Sequence, residues 1–235
     1  MIRKALPLSI VAAALFACTP GGAHAQTTAP PNGFQKQLQR MDFSVAGIGV
    51  YNNTVTGTVV TDLGADNQGQ SVTEHGSNTM GALISIHYIA KPYVGLEFNY
   101  SYARYDEDFT GPGIANYFVP PNSPEFQVQS KVDEYTFGYL ITPPHLVLGW
   151  QPFISAGAGT QGFKPTPLGG QELPEKARMT YYYSLGLQKN YGQHLGLRVG
   201  FRELFFLAPD FGQNYLTILQ HATTLEPMAG FYLRY

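Results

Sequence analysis

Six titratable side chains, His87, Glu97, Glu134, Arg198, Arg202 and Glu226, fall on the polar parity of segments where apolar residues alternate with Gly, Ser, Thr and Asn. In a chain with only 13% charged residues, acids and bases at matched depths inside a narrow, low-dielectric space must pair or hold water, because an isolated charge there is costly. Counted from the chain-reversing turns at ~3.3 Å per residue and a strand tilt of ~45°, Glu97 and Arg198 lie about 10 Å up with His87 beside them, and Arg202, Glu226 and Glu134 about 20 Å up. The expected arrangement is two stacked ionic layers. Such layers serve either as a constriction that selects ions or as ion pairs that fill an interior too narrow to conduct.

Other chemistry is less well provided for. Asp106-Glu107-Asp108 forms an acidic run, read as the start of an external loop, that would serve as a cation-holding rim; calcium sites need more oxygen ligands at defined spacings. Ser85 and His87 share a strand face, and His75 and His221 lie in or beside loops. None has the serine, histidine and acid set at the outer leaflet that a lipid-modifying hydrolase or acyltransferase requires. The expectation is no enzyme and no cofactor.

The elements that carry these residues must be strands. Period-two alternation marks eight segments, residues 42–51, 79–90, 93–105, 127–141, 149–162, 178–190, 194–206 and 223–235. In the third, Val94, Leu96, Phe98, Tyr100 and Tyr102 take one face, against Gly95, Glu97, Asn99, Ser101 and Ala103 on the other. In the first the facing is ambiguous, because Val45, Ile48 and Val50 split between parities. Most apolar faces carry tyrosine and phenylalanine, of which the chain has 16 and 15, while the fifth has only the small outward set Ile154, Ala156 and Ala158. This suits a lipid-facing surface with aromatic girdles better than a soluble sandwich or lipocalin-like barrel, which alternate apolar-in.

Long connections, 52–78, 106–126, 163–177 and 207–222, follow the odd strands, and short links follow the second, fourth and sixth. Outer-membrane barrels have short periplasmic turns and long external loops, which puts both termini in the periplasm. Residues 52–62, with Val55, Val59 and Val60 among threonines, either extend the first hairpin above the membrane or add a strand pair and make the barrel ten-stranded. Pro227 cannot donate a ladder hydrogen bond and is expected near the outer interface, where a bulge or missing bond is tolerable.

At the N-terminus, Met1-Ile2-Arg3-Lys4, an apolar run over residues 5–17 and Ala23-His24-Ala25 read as a signal peptide cleaved after Ala25. Leu15-Phe16-Ala17-Cys18 leaves open a lipoprotein processing at Cys18. Residues 26–40 are a polar periplasmic leader and 41–235 the barrel. Removing Arg3 and Lys4 leaves 12 basic residues against 16 acidic, a balance of −4 that excludes a nucleic-acid binder. Beyond the signal no apolar run is long enough for a membrane helix.

The chain ends on Gly230, Leu233 and Tyr235, a glycine followed by two hydrophobic or aromatic residues. With the signal peptide and the loop alternation, this resembles the small outer-membrane β-barrel superfamily of Gram-negative bacteria, the OmpA/OmpX/OmpW-like transmembrane barrels. The resemblance covers nearly all of the mature chain; Met228 stands where that pattern has a polar residue. It implies an all-β, closed antiparallel transmembrane barrel of eight strands. It also implies a C-terminal signal read by the barrel-assembly machinery, contact with outer-membrane lipids and lipopolysaccharide, a monomer, and no peptidoglycan-binding domain after Tyr235. The expected function is structural or surface-binding with an ionically plugged lumen; the alternatives are a small diffusion channel and a lipid-modifying enzyme.

Overall fold

A computed structural model of the chain describes residues 33–59, 69–111 and 125–234. The signal segment, Cys18, the leader before Gly33, residues 60–68, all of residues 112–124 and Tyr235 lie outside the described residues. The last part of the expected leader forms a short helix, α1 (Gly33–Leu38), whose residues are mostly exposed.

Ten strands follow: β1 (Met41–Asn52), β2 (Thr54–Thr58), β3 (Ser71–Gly76), β4 (Thr79–Lys91), β5 (Val94–Thr110), β6 (Glu125–Ile141), β7 (Gln151–Pro165), β8 (Lys176–Tyr191), β9 (Leu195–Leu207) and β10 (His221–Arg234). Eight of them close a ring in the order β1, β4, β5, β6, β7, β8, β9, β10, with β10 pairing back onto β1, every pair antiparallel. Closure leaves none of these eight strands at an edge, which is what allows a sheet to sit in lipid. The β2–β3 hairpin does not widen the ring. β3 continues the ladder of β4 along β5, pairing Thr73 to Gly76 with Thr110 to Glu107, and β2 continues β1 past Asn53, whose N–H donates to the Thr223 carbonyl at 3.0 Å. The barrel is therefore eight-stranded with one wall raised. Opposite Pro227 the β1–β10 ladder skips two pairs and resumes in the same register, Ile48 with Met228 and Tyr51 with Leu225, so the missing bond produces no bulge.

Polarity along each strand changes sign partway up. On β6 the outward residues run Ile141, Tyr139, Phe137 and Tyr135, then Asp133, Lys131, Gln129 and Gln127; inward, Thr136 and Glu134 give way to Val132, Val128 and Phe126. On β5, outward Val94 to Tyr102 is followed by Arg104, Asp106 and Asp108. The lower section is a transmembrane barrel, apolar outside and polar inside; Phe98, Phe201 and Phe231 are 40%, 38% and 61% exposed on its outer face. The upper section has the polarity of a water-soluble barrel. This reversal explains the split parity of β1, where Phe43 and Val45 face outward low down while Ile48 and Val50 are buried inside higher up.

The upper interior is filled by the β9–β10 connection, which folds into the mouth instead of extending away. Ala208, Phe211, Leu216 and Ile218 are buried there against Phe109, Phe126, Phe163 and Phe206, with Phe109 and Phe211 ring centroids 6.3 Å apart, edge to face. Each such side chain taken fully out of water contributes about 1.5–3 kcal/mol, so this plug is held by the same effect that holds a globular core.

Candidate functional site

Strand pairing alone brings the lowest charged group together. Asp42 on β1 is registered with His87 on β4, and His87 with Glu97 on β5. His87 Nδ1 lies 2.5 Å from Asp42 Oδ1 and Nε2 lies 2.9 Å from Glu97 Oε2. Arg198, from β9 across the lumen, places Nη1 3.0 and 3.1 Å from the two imidazole nitrogens. Its Nη2 donates to Gln188 at 2.7 Å and lies 3.7 Å from Asp42. Two carboxylates thus face one guanidinium and one imidazole. Glu97 is the hub, accepting also from Asn99 Nδ2 at 2.7 Å, Ser155 Oγ at 3.0 Å and Tyr182 O–H at 2.9 Å. The Arg198 guanidinium stacks between Phe153 and Tyr232, its carbon 5.1 Å from each ring centre, a placement the ring quadrupoles favour.

One layer higher, Arg202 on β9 reaches Glu134 on β6 at 2.5 Å and Glu226, its register partner on β10, at 3.1 Å. All three are at most 3% exposed. Ser101 Oγ and Thr136 Oγ1 donate to the two Glu134 oxygens. Glu226 has the charge contact but no aligned hydrogen bond on Oε2. Tyr182 joins the layers, its O–H on Glu97 and its ring 5.1 Å from the Arg202 guanidinium carbon. The cavity lined by both layers, with Ser44, Ser85 and Ser184, offers about 20 Å³, room for roughly one water.

Above these, Glu74 on β3 and Glu107 on β5 are buried, and each has one carboxyl oxygen without a hydrogen-bond partner among the described residues. They share a void of about 10 Å³ with Asn52, Asn53 and Tyr105. Burial pushes the Glu74 carboxyl well above the ordinary range; Arg178 opposes this and Asp210 adds to it. The plug itself is fastened by Asp210, which meets Lys176 at 3.0 Å and Arg178 at 2.9 Å and accepts the Gly212 N–H at 3.0 Å. Burial would raise the Asp210 carboxyl, but these partners outweigh it and hold it below its usual value. At the end of the barrel where Arg40 and Arg234 lie, a vestibule of about 230 Å³ lined by those two residues, Gln39 and Gln151 ends on Arg198.

The structure thus places His87, Glu97 and Arg198 in one layer and Glu134, Arg202 and Glu226 in the next. Asp42, a full member of the lower layer, was not singled out from sequence; its parity with Ser44 was the available signal, masked by the split facing of β1. Asp106, Glu107 and Asp108 lie inside β5, not at the start of a loop, and alternate across it: Glu107 faces the lumen, while Asp106 and Asp108 face outward, so the three do not form a common rim. His87 spends both ring nitrogens on carboxylates rather than on Ser85, and His75 pairs with Thr54 Oγ1. Gly230 sits where an added Cβ would lie 2.2 Å from the Val45 carbonyl oxygen at the β1–β10 seam. Leu233 faces outward at 43% exposure.

No family model matches the chain, and no curated protein matches it. Among solved structures it is similar to Neisserial surface protein A, with 13% identity over 82% of this chain and 97% of that one and a TM-score of 0.46. It is similar to the outer membrane protein OprG from Pseudomonas aeruginosa, with 10% identity over 83% and 95% and a TM-score of 0.48. It is also similar to the outer membrane protein AlkL, solved in lipid bilayers, with 13% identity over 91% and 96% and a TM-score of 0.48. At those scores the functional reading rests on the chain's own geometry.

Proposed function

We propose that this protein is a non-catalytic outer-membrane barrel with a structural or surface-binding role, in which a closed wall anchors external loops and the lumen does not conduct. The signal segment ends at Ala25, the termini are periplasmic, and the four long connections lie at the outer end, the β9–β10 one folded into the mouth. Insertion uses the barrel-assembly machinery acting on the C-terminal Gly230, Leu233 and Tyr235, and the protein works as a monomer. Two kinds of closure in series support the reading: ionic layers centred on Arg198 and Arg202 in the membrane section, and the apolar plug held by Asp210 above it. A wide aqueous path needs more than eight strands, and the cavity between the ionic layers holds about one water.

The test is the detergent-purified mature chain in planar bilayers. It should migrate as a compact, heat-modifiable band and show no steady single-channel steps. Reproducible steps would favour the diffusion-channel reading, and solubility without detergent would remove the membrane assignment.

A further inference from the structure

Three basic side chains form one cross-strand row on the outside of the barrel. Arg104 on β5 is registered with Lys131 on β6, and Lys131 with Lys164 on β7. Adjacent strands are about 4.8 Å apart, and like charges directly opposite each other destabilise a sheet, so the row is held against its own repulsion. Relief from within the protein is partial. Arg104 donates to Gln129, a neutral amide; Lys164 meets Asp133 at 3.2 Å; Lys131 makes no ion pair among the described residues. Other charges near the row are Asp106 and Asp108, outward on β5 above Arg104, and Glu175 and Lys176 beside β8, Lys176 being paired with Asp210.

Height gives the row its meaning. From Val94 to Arg104 the wall rises about 23 Å at ~3.3 Å per residue and ~45° tilt, close to the ~25 Å apolar band of an outer-membrane barrel. Immediately below the row are the last outward aromatics, Tyr100, Tyr102 and Tyr135, with Tyr100 and Tyr135 ring centres 5.0 Å apart. Lys164 also borders a surface groove of about 330 Å³ whose wall includes Asp133, Tyr135, Thr160, Gly162 and Lys176. Below Thr160 the outward face of β7 carries the small residues Ala158 and Ala156, registered between Phe137 and Tyr139 on one side and Tyr181 and Tyr183 on the other.

We propose that Arg104, Lys131 and Lys164 dock the phosphate of an acylated outer-leaflet lipid, with an acyl chain lying along the small outward residues of β7 beneath. This rests on the outer-membrane reading above and assigns its lipid contact to a particular face. A lipid is chosen over free phosphate because the cations stand where the acyl phase ends, directly above a strip of small outward residues on β7 flanked by aromatics.

The experiment reconstitutes the full mature chain in phosphatidylcholine vesicles, alone, with phosphorylated lipid A, or with the same glycolipid after phosphate removal, plus an arm with inorganic phosphate. Retained lipid is read by native mass spectrometry. Phosphorylated lipid A should be retained and the dephosphorylated form lost. Arg104→Gln/Lys131→Gln/Lys164→Gln should weaken retention about a hundredfold, roughly fivefold per charge, while Lys91→Gln/Lys189→Gln at the opposite rim should not. Equal retention of both glycolipids, indifference to the triple substitution, or equal occupancy by inorganic phosphate would each overturn the proposal. Heat-modifiable migration, measured on the same samples, reports separately whether the membrane reading itself fails.

Discussion

Arg202 carries the sharpest consequence at the scale of a residue. It is the only cation in contact with Glu134 and Glu226 among the described residues, and removing one partner of a buried ionic group costs far more than replacing the whole group with neutral atoms. Arg202→Met should cost about 3–5 kcal/mol, seen as a lower urea midpoint for the heat-modifiable band in detergent. Arg202→Met/Glu134→Gln/Glu226→Gln should recover most of that loss; no recovery would show that shape, not charge, is what Arg202 supplies. Glu74 gives a pH signature. Its folded carboxyl is raised, so the folded chain keeps a proton that the unfolded chain releases above pH 4.5. Stability from this group is full below that pH and falls as pH rises toward the folded value. Glu74→Gln should flatten that fall, leaving the variant more stable than the parent at neutral pH and alike at pH 4, by unfolding midpoints at both.

Among elements, the plug and the β10 seam behave differently because different forces hold them. The plug is fastened through Asp210, whose lowered carboxyl contributes stability that is present above its ordinary pH of about 3.8 and lost as pH falls through the folded value. Asp210→Asn should loosen residues 208–220 at neutral pH by about 1–3 kcal/mol, read as faster proteolytic cutting there with the strands still protected. Acidification should do the same to the parent. At the seam, the pairing of Gly230 with Ala46 leaves no space for a side chain. Gly230→Val should reduce the yield of heat-modifiable barrel, and an unchanged yield would mean that the seam opens enough to take it.

For the whole molecule, the two closures act in series. An ionic plug alone would make Arg198→Ala/Arg202→Ala conduct. With an apolar core above the charges, that variant should stay silent in planar bilayers. Conductance should appear only when residues 209–218 are also replaced by a short polar linker, and steps from the arginine variant by itself would show that the mouth is open in the membrane.

Strands, their lipid-facing parity in the membrane section and the six interior charges were legible in the sequence because alternation is a local property: one residue decides where its neighbour points. Val94 to Tyr102 needed no structure to be read. Where the membrane section stops was not legible, because turning the apolar face inward leaves the alternation intact and changes only which parity is greasy. That is why the facing of β1 is ambiguous in the sequence, why Asp42 does not stand out there, and why Asp106 to Asp108 look like the start of a loop. The folding of the β9–β10 connection into the mouth, the burial of Glu74 and Glu107 side by side, and the basic row of Arg104, Lys131 and Lys164 depend on register between segments far apart in the chain. Register is set only when the ring closes, so the tertiary structure alone decided them.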